Sequence, residues 1–226
     1  MGIINTTPDS FSGDGVLAEA AVDQALRMID EGADILDFGG ESSRPGSTPI
    51  SFDEETRRVV PVIEALRQRN AQILMAVDTV KASVATESLK AGANIINDIS
   101  ALQRDAALAD VVVRHKAHVV LMDNRGNPAR VAQDAKLGSH YVEGDDGDIV
   151  ESVMDNLKQR IAAAHAAGIA ADKIIIDPGL GFGKTVAQNL ALIRHIPSLK
   201  KLGTPVLIAP SRKSFIGHIL NLSVDD

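Results

Sequence analysis

Short apolar runs along this chain repeatedly end in a polar, charged or glycine-rich tip. The six tips are Asn5, Asp37-Phe38-Gly39-Gly40, Asp78, Asn97-Asp98, Asp177-Pro178-Gly179 and Ser211-Arg212-Lys213. In a β/α barrel the functional side chains come from the carboxyl ends of parallel strands, which all open at one mouth. The pattern therefore predicts a barrel whose function lies in these tips.

The apolar runs themselves predict seven buried strands, at residues 1–4, 34–38, 72–77, 94–97, 117–122, 173–176 and 205–209. They are continuous runs of Ile, Leu, Val and Met, which is typical of parallel strands covered on both faces. Stripes of apolar residues at helical spacing lie between them, and we expect these stripes to be core. The clearest are Val22 to Ile29, Val59 to Leu66 and Val150 to Ile161.

The predicted fold is an α/β TIM (β/α)8 barrel. A closed barrel needs eight strands. Since the sequence supplies seven, we expect the eighth strand and helix to be missing and the chain to be C-terminally truncated. We expect residues 1–226 to form one domain, because 226 residues with 45% hydrophobic content suffice for a single core. A doubly wound open sheet is the alternative, disfavoured because no dinucleotide fingerprint follows the first strand.

Composition excludes several classes of protein. The net charge of -7, with Lys and Arg scattered, argues against a nucleic-acid partner. No apolar run approaches the roughly 20 residues that cross a bilayer, so we expect no membrane association. The absence of cysteine excludes disulfides and thiolate chemistry, and a cytoplasmic protein is the default expectation.

Two stretches leave alternatives open. The glycine-rich run from Gly179 to Thr185 matches neither a P-loop nor a dinucleotide fingerprint. It indicates either a rim that lets backbone approach a flat ligand beside Phe182, or a plain turn that needs positive φ. Residues 123–147 are the least regular part, and we expect a mobile active-site loop or disorder there.

Asp78, Asn97 and Asp177 each follow a run too apolar to lie at the surface. Buried carboxylates and amides need hydrogen-bond partners, and a heterocycle rich in ring nitrogens would satisfy all three. Each residue taken singly could instead be a structural turn residue. The cationic tips at Arg44 and Arg212-Lys213 suit an anionic ligand at the same mouth.

Several motifs, in order along nearly the whole chain, resemble those of dihydropteroate synthase. The matching stretches are Met1 to Ser12, Gly39 to Gly46, Val77-Asp78-Thr79, Asn97-Asp98-Ile99, Leu121-Met122 with Arg125-Gly126, Asp177 to Lys184, and Ser211 to Ser214. The resemblance implies a pterin-binding TIM barrel. It also implies the folate-synthesis reaction, in which 6-hydroxymethyl-7,8-dihydropterin pyrophosphate and p-aminobenzoate condense to 7,8-dihydropteroate and pyrophosphate.

The resemblance also implies roles for individual residues. The pterin would be held by Asp78, Asn97, Met122, Asp177 and Lys213. Asn5 would bind the Mg²⁺ that accompanies the pyrophosphate, and Arg44 would stabilise that leaving group. The implied catalytic set is Asn5, Arg44, Asp78, Asp177 and Lys213. The p-aminobenzoate site, which sulfonamides could enter, would be shaped by Phe11, Ser43, Pro45, Gly181, Phe182 and Ser214.

The chain departs from the family pattern at Ser43, Asp123, Asn124, Ala209 and Pro210. The expected partners are small-molecule substrates and, as in relatives, a second copy in a homodimer. Two other functions stay open at this point. One is a pterin-dependent methyltransferase of the same barrel family, and the other is a degenerate pterin-binding module without catalysis.

Overall fold

A computed structural model describes residues 1–6, 14–42, 48–125, 133–134, 139–140 and 147–222, with backbone only at 14–17, 133–134 and 139–140. The strands in this part of the chain are β1 Gly2–Asn5, β2 Ile35–Gly39, β3 Leu74–Asp78, β4 Ile95–Asp98, β5 His118–Met122, β6 Gln133–Asp134, β7 Ser139–His140 and β8 Ile174–Asp177. Sequence analysis did not predict β6 and β7, which form a two-residue antiparallel pair inside 123–147. Most of that stretch lies outside the described residues.

Helices alternate with the strands of the main sheet. They are α1 Asp14–Asp30, α2 Phe52–Arg69, α3 Ala82–Ala91, α4 Ala107–His115, α5 Ile149–Ala166, α6 Val186–Arg194, α7 Ile196–Leu199 and α8 Ser214–Leu220. Among the described helices, none combines the length and apolarity that crossing a membrane requires.

The main sheet has six parallel strands in the order β1-β2-β3-β4-β5-β8, which is also their order along the chain. A doubly wound sheet reverses its strand order at a switch point, and this sheet has no such reversal among the described residues. Sequential parallel strands with intervening helices are the arrangement of a β/α barrel. The doubly wound alternative is therefore wrong.

Side chains alternate between the two faces of the sheet. Leu36, Phe38 and their counterparts on neighbouring strands pack against the helices in the main hydrophobic core. The opposite face carries a smaller cluster, which we call the inner cluster. Its members are Ala76, Ile95 and Val120, with Ile35, Ile175 and Leu207 packed against them. The predicted helical stripes lie in the main core, and Val59, Ile63 and Leu66 are fully buried.

The predicted strand at 205–209 forms only a single parallel bridge, between Ile176 and Val206. Ile176 donates its backbone N–H to Pro205 O at 2.9 Å, and Leu207 donates to Ile176 O at 2.8 Å. The next ladder donors on either side of this bridge would be the backbone nitrogens of Pro205 and Pro178, and proline has no N–H to donate. The segment therefore continues the sheet without forming a ladder, and the described sheet is not closed between this segment and β1.

Candidate active site

The carboxyl ends of the strands bring the predicted polar residues together on the inner face. In the register, Gly39 lies between Asn5 and Asp78, and Asp78 pairs with Asn97. Met122 pairs with Asp177 further round the sheet. Because side chains alternate along a strand, these polar tips share the face of the inner cluster. The predicted convergence of strand ends is thus present.

Asp98, which follows Asn97 in the same tip, plays the structural role of a turn residue. Its carboxylate accepts hydrogen bonds from Ser100 N at 2.7 Å, Ser100 Oγ at 2.6 Å and Leu102 N at 2.6 Å. It lies on the opposite side of the strand from Asn97. These bonds hold a turn in which Ala101 and Leu102 both have positive φ, at 50° and 64°. Asp98 is therefore a structural turn residue, a role that was considered above only for Asp78, Asn97 and Asp177.

Lys213 lies near enough to Asp177 and Asp78 for both carboxylates to act on its charge. It immediately precedes α8, and its ammonium lies 4.1 Å from the centroid of the Phe182 ring. A Cβ added to Gly181 would come within 2.9 Å of Lys213 Cδ, so the lysine chain crosses directly over that glycine. Phe182, Gly181 and Lys213, all predicted site residues, thus form one contiguous wall, with Ser214 next in the chain.

Burial dominates the electrostatics of this wall. It raises the pKa of Asp177 to about 6, against the backbone hydrogen bond from Gly179 and the nearby Lys213 ammonium, which both lower it. Burial also raises the pKa of Asp78 well above its ordinary value, and the carboxylate of Asp37 adds to that rise. The pKa of Lys213 is lowered by burial, with Asp177 and Asp78 opposing the change. At this site burial therefore destabilises the ionised forms of two carboxyl groups and of one amine.

Asp37 belongs to this cluster, although sequence analysis gave it no role beyond its place in a tip. It is 8% exposed, and its Oδ2 accepts a hydrogen bond of 2.9 Å from Asn97 Nδ2. Its other oxygen, Oδ1, is buried without a hydrogen-bond partner among the described residues. Burial raises the pKa of Asp37 to about 6, while the bond from Asn97 lowers it. The signal in the sequence was a carboxylate inside an apolar strand, two residues before the strand ends.

The glycine-rich loop after β8 is held by a buried ammonium. Lys184 Nζ lies 2.9 Å from Asp123 Oδ2, and its side chain is 0% exposed. It also donates to the backbone oxygens of Asp123, Gly179 and Phe182, at 2.9, 3.0 and 3.3 Å. Gly179, Gly181 and Gly183 all have positive φ, so the turn interpretation of this run is correct. The same loop also places Phe182 against the site lysine.

Asp123, one of the departures from the family pattern, is thus a structural partner of that loop. Its Oδ1 accepts from Asn156 Nδ2 at 2.5 Å, and its Oδ2 accepts from Arg125 Nε at 3.1 Å. Gly179 has no room for a side chain here, because a Cβ would meet Asp123 O at 2.0 Å. The contact between Lys184 and Asp123 could not be predicted from local sequence patterns, because the two residues are 61 positions apart.

A second lysine joins the ends of the segment between β2 and α2. Lys81 Nζ donates to Glu41 Oε2 at 2.5 Å, to Glu55 Oε2 at 2.6 Å and to Ile50 O at 2.7 Å. Glu41 and Ile50 flank residues 43–47, so Lys81 connects both ends of the segment between β2 and α2 to the start of α3. Sequence analysis did not identify this contact.

Other predicted residues have different outcomes. Asn5 is exposed at the mouth, with its Oδ1 3.7 Å from the position a Gly39 Cβ would take. Met122 is 3% exposed and lies on the inner face. Four predicted residues lie outside the described part of the chain, and their roles stay predictions: Phe11, Ser43, Arg44 and Pro45.

Comparison with known proteins decides the family. The family described as "pterin binding enzyme" matches residues 1–226. The chain belongs to the pterin-binding enzyme family. Members of the family similar to it include the dihydropteroate synthase of Synechocystis sp., 43% identical over 223 residues that make up 98% of this chain and 74% of that protein. The dihydropteroate synthase of Escherichia coli K12 is 41% identical over 224 residues, 98% of this chain and 76% of that protein.

Solved structures of the family share the fold. A Xanthomonas albilineans dihydropteroate synthase with 4-aminobenzoic acid has a TM-score of 0.86 at 43% identity, covering 98% of this chain and 76% of that one. The same organism's enzyme in complex with 7,8-dihydropteroate has a TM-score of 0.81 at 42% identity, covering 98% and 75%. The predicted TIM-barrel fold is confirmed, with the sheet open in the part of this chain that the structure describes.

Proposed function

We propose that this chain is a dihydropteroate synthase, which joins 6-hydroxymethyl-7,8-dihydropterin pyrophosphate to p-aminobenzoate and releases pyrophosphate. The observation that carries the proposal is the convergence of Asp78, Asn97 and Asp177 on one inner face beside Lys213. It occurs in a chain 43% identical to a dihydropteroate synthase. The 4-aminobenzoic acid and 7,8-dihydropteroate bound by the Xanthomonas enzyme match the substrate and product proposed here.

Recognition of the pterin follows from the hydrogen-bonding character of the site. Ionised Asp78 and Asp177 only accept hydrogen bonds, whereas the Lys213 ammonium only donates. A pterin ring offers several N–H groups along one edge and a carbonyl oxygen beside them. Ligand N–H groups would satisfy carboxylates that burial otherwise disfavours, so binding would offset the cost recorded in their raised pKa values.

Catalysis in this proposal is dissociation followed by attack. The bond between the exocyclic methylene and the pyrophosphate oxygen breaks, and its electron pair leaves with the pyrophosphate. The dihydropterin ring carries the positive charge, which the Asp177 carboxylate stabilises at close range in a low-dielectric site. The arylamine nitrogen then attacks the methylene and loses a proton to water or to the departing pyrophosphate, so no strong general base is required.

The second substrate and the leaving group would be held at the rim. Gly181, Phe182 and Ser214 would line the p-aminobenzoate site together with Phe11, Ser43 and Pro45. Arg44 would contact the departing oxygens of the pyrophosphate. Lys81 supports this arrangement, because it connects both ends of the loop that carries Ser43, Arg44 and Pro45.

Mg²⁺ fits this site only as a companion of the pyrophosphate. Among the described residues no group of three or more His, Cys, Asp or Glu could hold a metal ion. Asn5 offers one amide oxygen at the mouth, and Mg²⁺ commonly binds through a few protein oxygens plus phosphates and water. When bound, the ion would neutralise charge on the leaving oxygens, and Asn5 would be its protein ligand.

The test is to incubate the chain with the pterin pyrophosphate, p-aminobenzoate and Mg²⁺. The expected result is formation of 7,8-dihydropteroate and pyrophosphate in equal amounts. Chromatography measures the first product and a pyrophosphate assay measures the second. Pterin binding without pyrophosphate release would instead identify a non-catalytic binding module. Methyl transfer from a methylated pterin to a corrinoid protein, without condensation, would identify the methyltransferase alternative.

A further inference from the structure

Asn97 carries two chemically opposite groups on one carboxamide, and its orientation decides which group the ligand meets. Its Nδ2 donates to Asp37 Oδ2 at 2.9 Å. Asp37 lies one step deeper in the sheet, because it pairs with Ala76 whereas Asn97 pairs with Asp78. The amide nitrogen is therefore turned into the barrel and the amide oxygen away from Asp37. Asn97 Oδ1 accepts no hydrogen bond within the described residues.

Within the described residues, Asn97 is the one side chain seen to hydrogen-bond the carboxylate of Asp37. Asp37 Oδ1 is buried without a hydrogen-bond partner in the described part of the chain, and no described cation forms an ion pair with this carboxylate. The inner-face residues around and below it, Ile35, Ala76 and Ile95, are apolar, and the charged group nearby is the carboxylate of Asp78, which is also acidic. A buried charge without a cation is destabilising, and an apolar side chain of similar size is commonly neutral or stabilising in its place.

We propose that Asp37 is a positioning residue that locks the Asn97 carboxamide so that its oxygen is presented to the ligand. A carboxylate accepts hydrogen bonds and does not donate them, so it admits only the amide nitrogen of Asn97 on its side. The ligand then meets acceptors from Asp78, Asn97 and Asp177 on one side of the site. This proposal rests on the proposed function, since the N–H groups that match three acceptors are those of the pterin ring.

Specificity follows from the locked amide. An asparagine carboxamide that can rotate by 180° presents either its NH₂ donor or its oxygen acceptor to a ligand. Such a side chain discriminates poorly between a ring N–H group and an unprotonated ring nitrogen. With Asp37 in place, a heterocycle that brings an acceptor to Asn97 leaves two oxygens or nitrogens facing each other without a proton. Asp37 thus acts on ligand selection through Asn97 rather than through a contact of its own with the ligand.

Calorimetric titration with the pterin pyrophosphate, without p-aminobenzoate, tests the proposal on the full chain and on Asp37→Leu, Asn97→Ala and the double variant. Asp37→Leu is expected to weaken binding roughly 10- to 100-fold. This factor corresponds to the loss of about one hydrogen bond that involves a charged group. Asn97→Ala is expected to lose a similar factor. The double variant should bind no more than about 2-fold more weakly than Asn97→Ala, because the two residues act through one group.

Urea unfolding of the same proteins separates positioning from a structural role. Asp37→Leu is expected to be at least as stable as the parent chain while binding more weakly, a combination that simple loss of structure cannot give. Should Asp37→Leu fail to fold, Asp37→Asn replaces it, since this variant keeps the shape and lets Asn97 turn. Its binding should weaken by at least roughly 5-fold, part of the loss of one hydrogen bond.

Three results would overturn the proposal. Unchanged affinity in the folded Asp37 variant would do so, as would losses that multiply in the double variant. In both cases the parent chain still binds the pterin and the proposed function survives. A parent chain that does not bind the pterin pyrophosphate would instead overturn the proposed function, and the role of Asp37 with it.

Discussion

Replacing Asp177 by asparagine should make the protein more stable and unable to bind pterin. In the native state burial raises the pKa of this carboxyl from 3.8 to about 6. The native state thus holds the proton more tightly than the unfolded chain. The associated stability is complete below pH 3.8 and is lost as the pH rises through 6. The carboxamide of the variant cannot ionise, and its oxygen can still accept from Gly179 N as the Asp177 carboxylate does at 2.7 Å.

The size of the gain follows from the shift in pKa. Linkage gives Asp177→Asn an advantage of about 3 kcal/mol in unfolding free energy at about pH 7.5, and roughly half of that at about pH 5. Urea unfolding at the two pH values measures it, with an unchanged denaturant slope showing that both proteins expose the same surface. Calorimetry on the same samples should detect no binding of the pterin pyrophosphate.

The matched control is Asp34→Asn, which alters an exposed aspartate in the turn before β2. It should change stability by less than about 0.5 kcal/mol at either pH and leave pterin affinity intact. A stability gain in Asp177→Asn that is the same at both pH values would refute the linkage argument. Unchanged pterin affinity would refute the assigned role of Asp177.

Two further predictions test the wall and the loop beneath it. Gly181→Ala and Gly203→Ala should each cost about 1–2 kcal/mol of stability, because both glycines have positive φ, at 78° and 82°. Only Gly181→Ala should also weaken pterin binding, since its new Cβ meets Lys213 Cδ at 2.9 Å whereas the Gly203 position is open; equal affinities in the two variants would contradict this. Lys184→Met should lower the melting temperature by roughly 6–20 °C, because it removes a buried ion pair worth about 3–5 kcal/mol when broken from one side. The control is Lys158→Met, because Lys158 is 55% exposed in a surface ion pair. This variant should lower the melting temperature by no more than roughly 2 °C. Similar melting temperatures for the two methionine variants would contradict the burial argument.

Strand positions were accessible from the sequence because a strand buried on both faces needs an uninterrupted apolar run. The six strands of the main sheet lie within one or two residues of the predicted spans. The run at 205–209 satisfied the same pattern and still formed only a bridge. The run is only partly buried, with Pro205 exposed and residues 206–209 half-buried. A ladder also needs backbone donors, and the next ones on either side of the bridge would be the nitrogens of Pro205 and Pro178, which carry no N–H.

The site could be predicted only as far as strand ends determine it. Asp78, Asn97, Asp177 and Lys213 follow directly from the tips, since parallel strands place all their carboxyl ends at one mouth. Asp37 and Lys184 act through partners 60 and 61 residues away, and no local pattern reveals which segments will meet. The Mg²⁺ ion, pairing into a homodimer and the contributions of Phe11, Ser43, Arg44 and Pro45 stay predictions.

The pairing of Lys184 with Asp123 has an evolutionary consequence. An ammonium enclosed by three peptide oxygens needs one negative neighbour, and the residue after β5 supplies it here. Drift at either position alone would pass through an intermediate with one lone charge in the interior. Lys184 lies in a stretch that matches the family pattern, whereas Asp123 departs from it. Relatives that keep the lysine with another residue after β5 should therefore place a different acceptor or anion beside its ammonium.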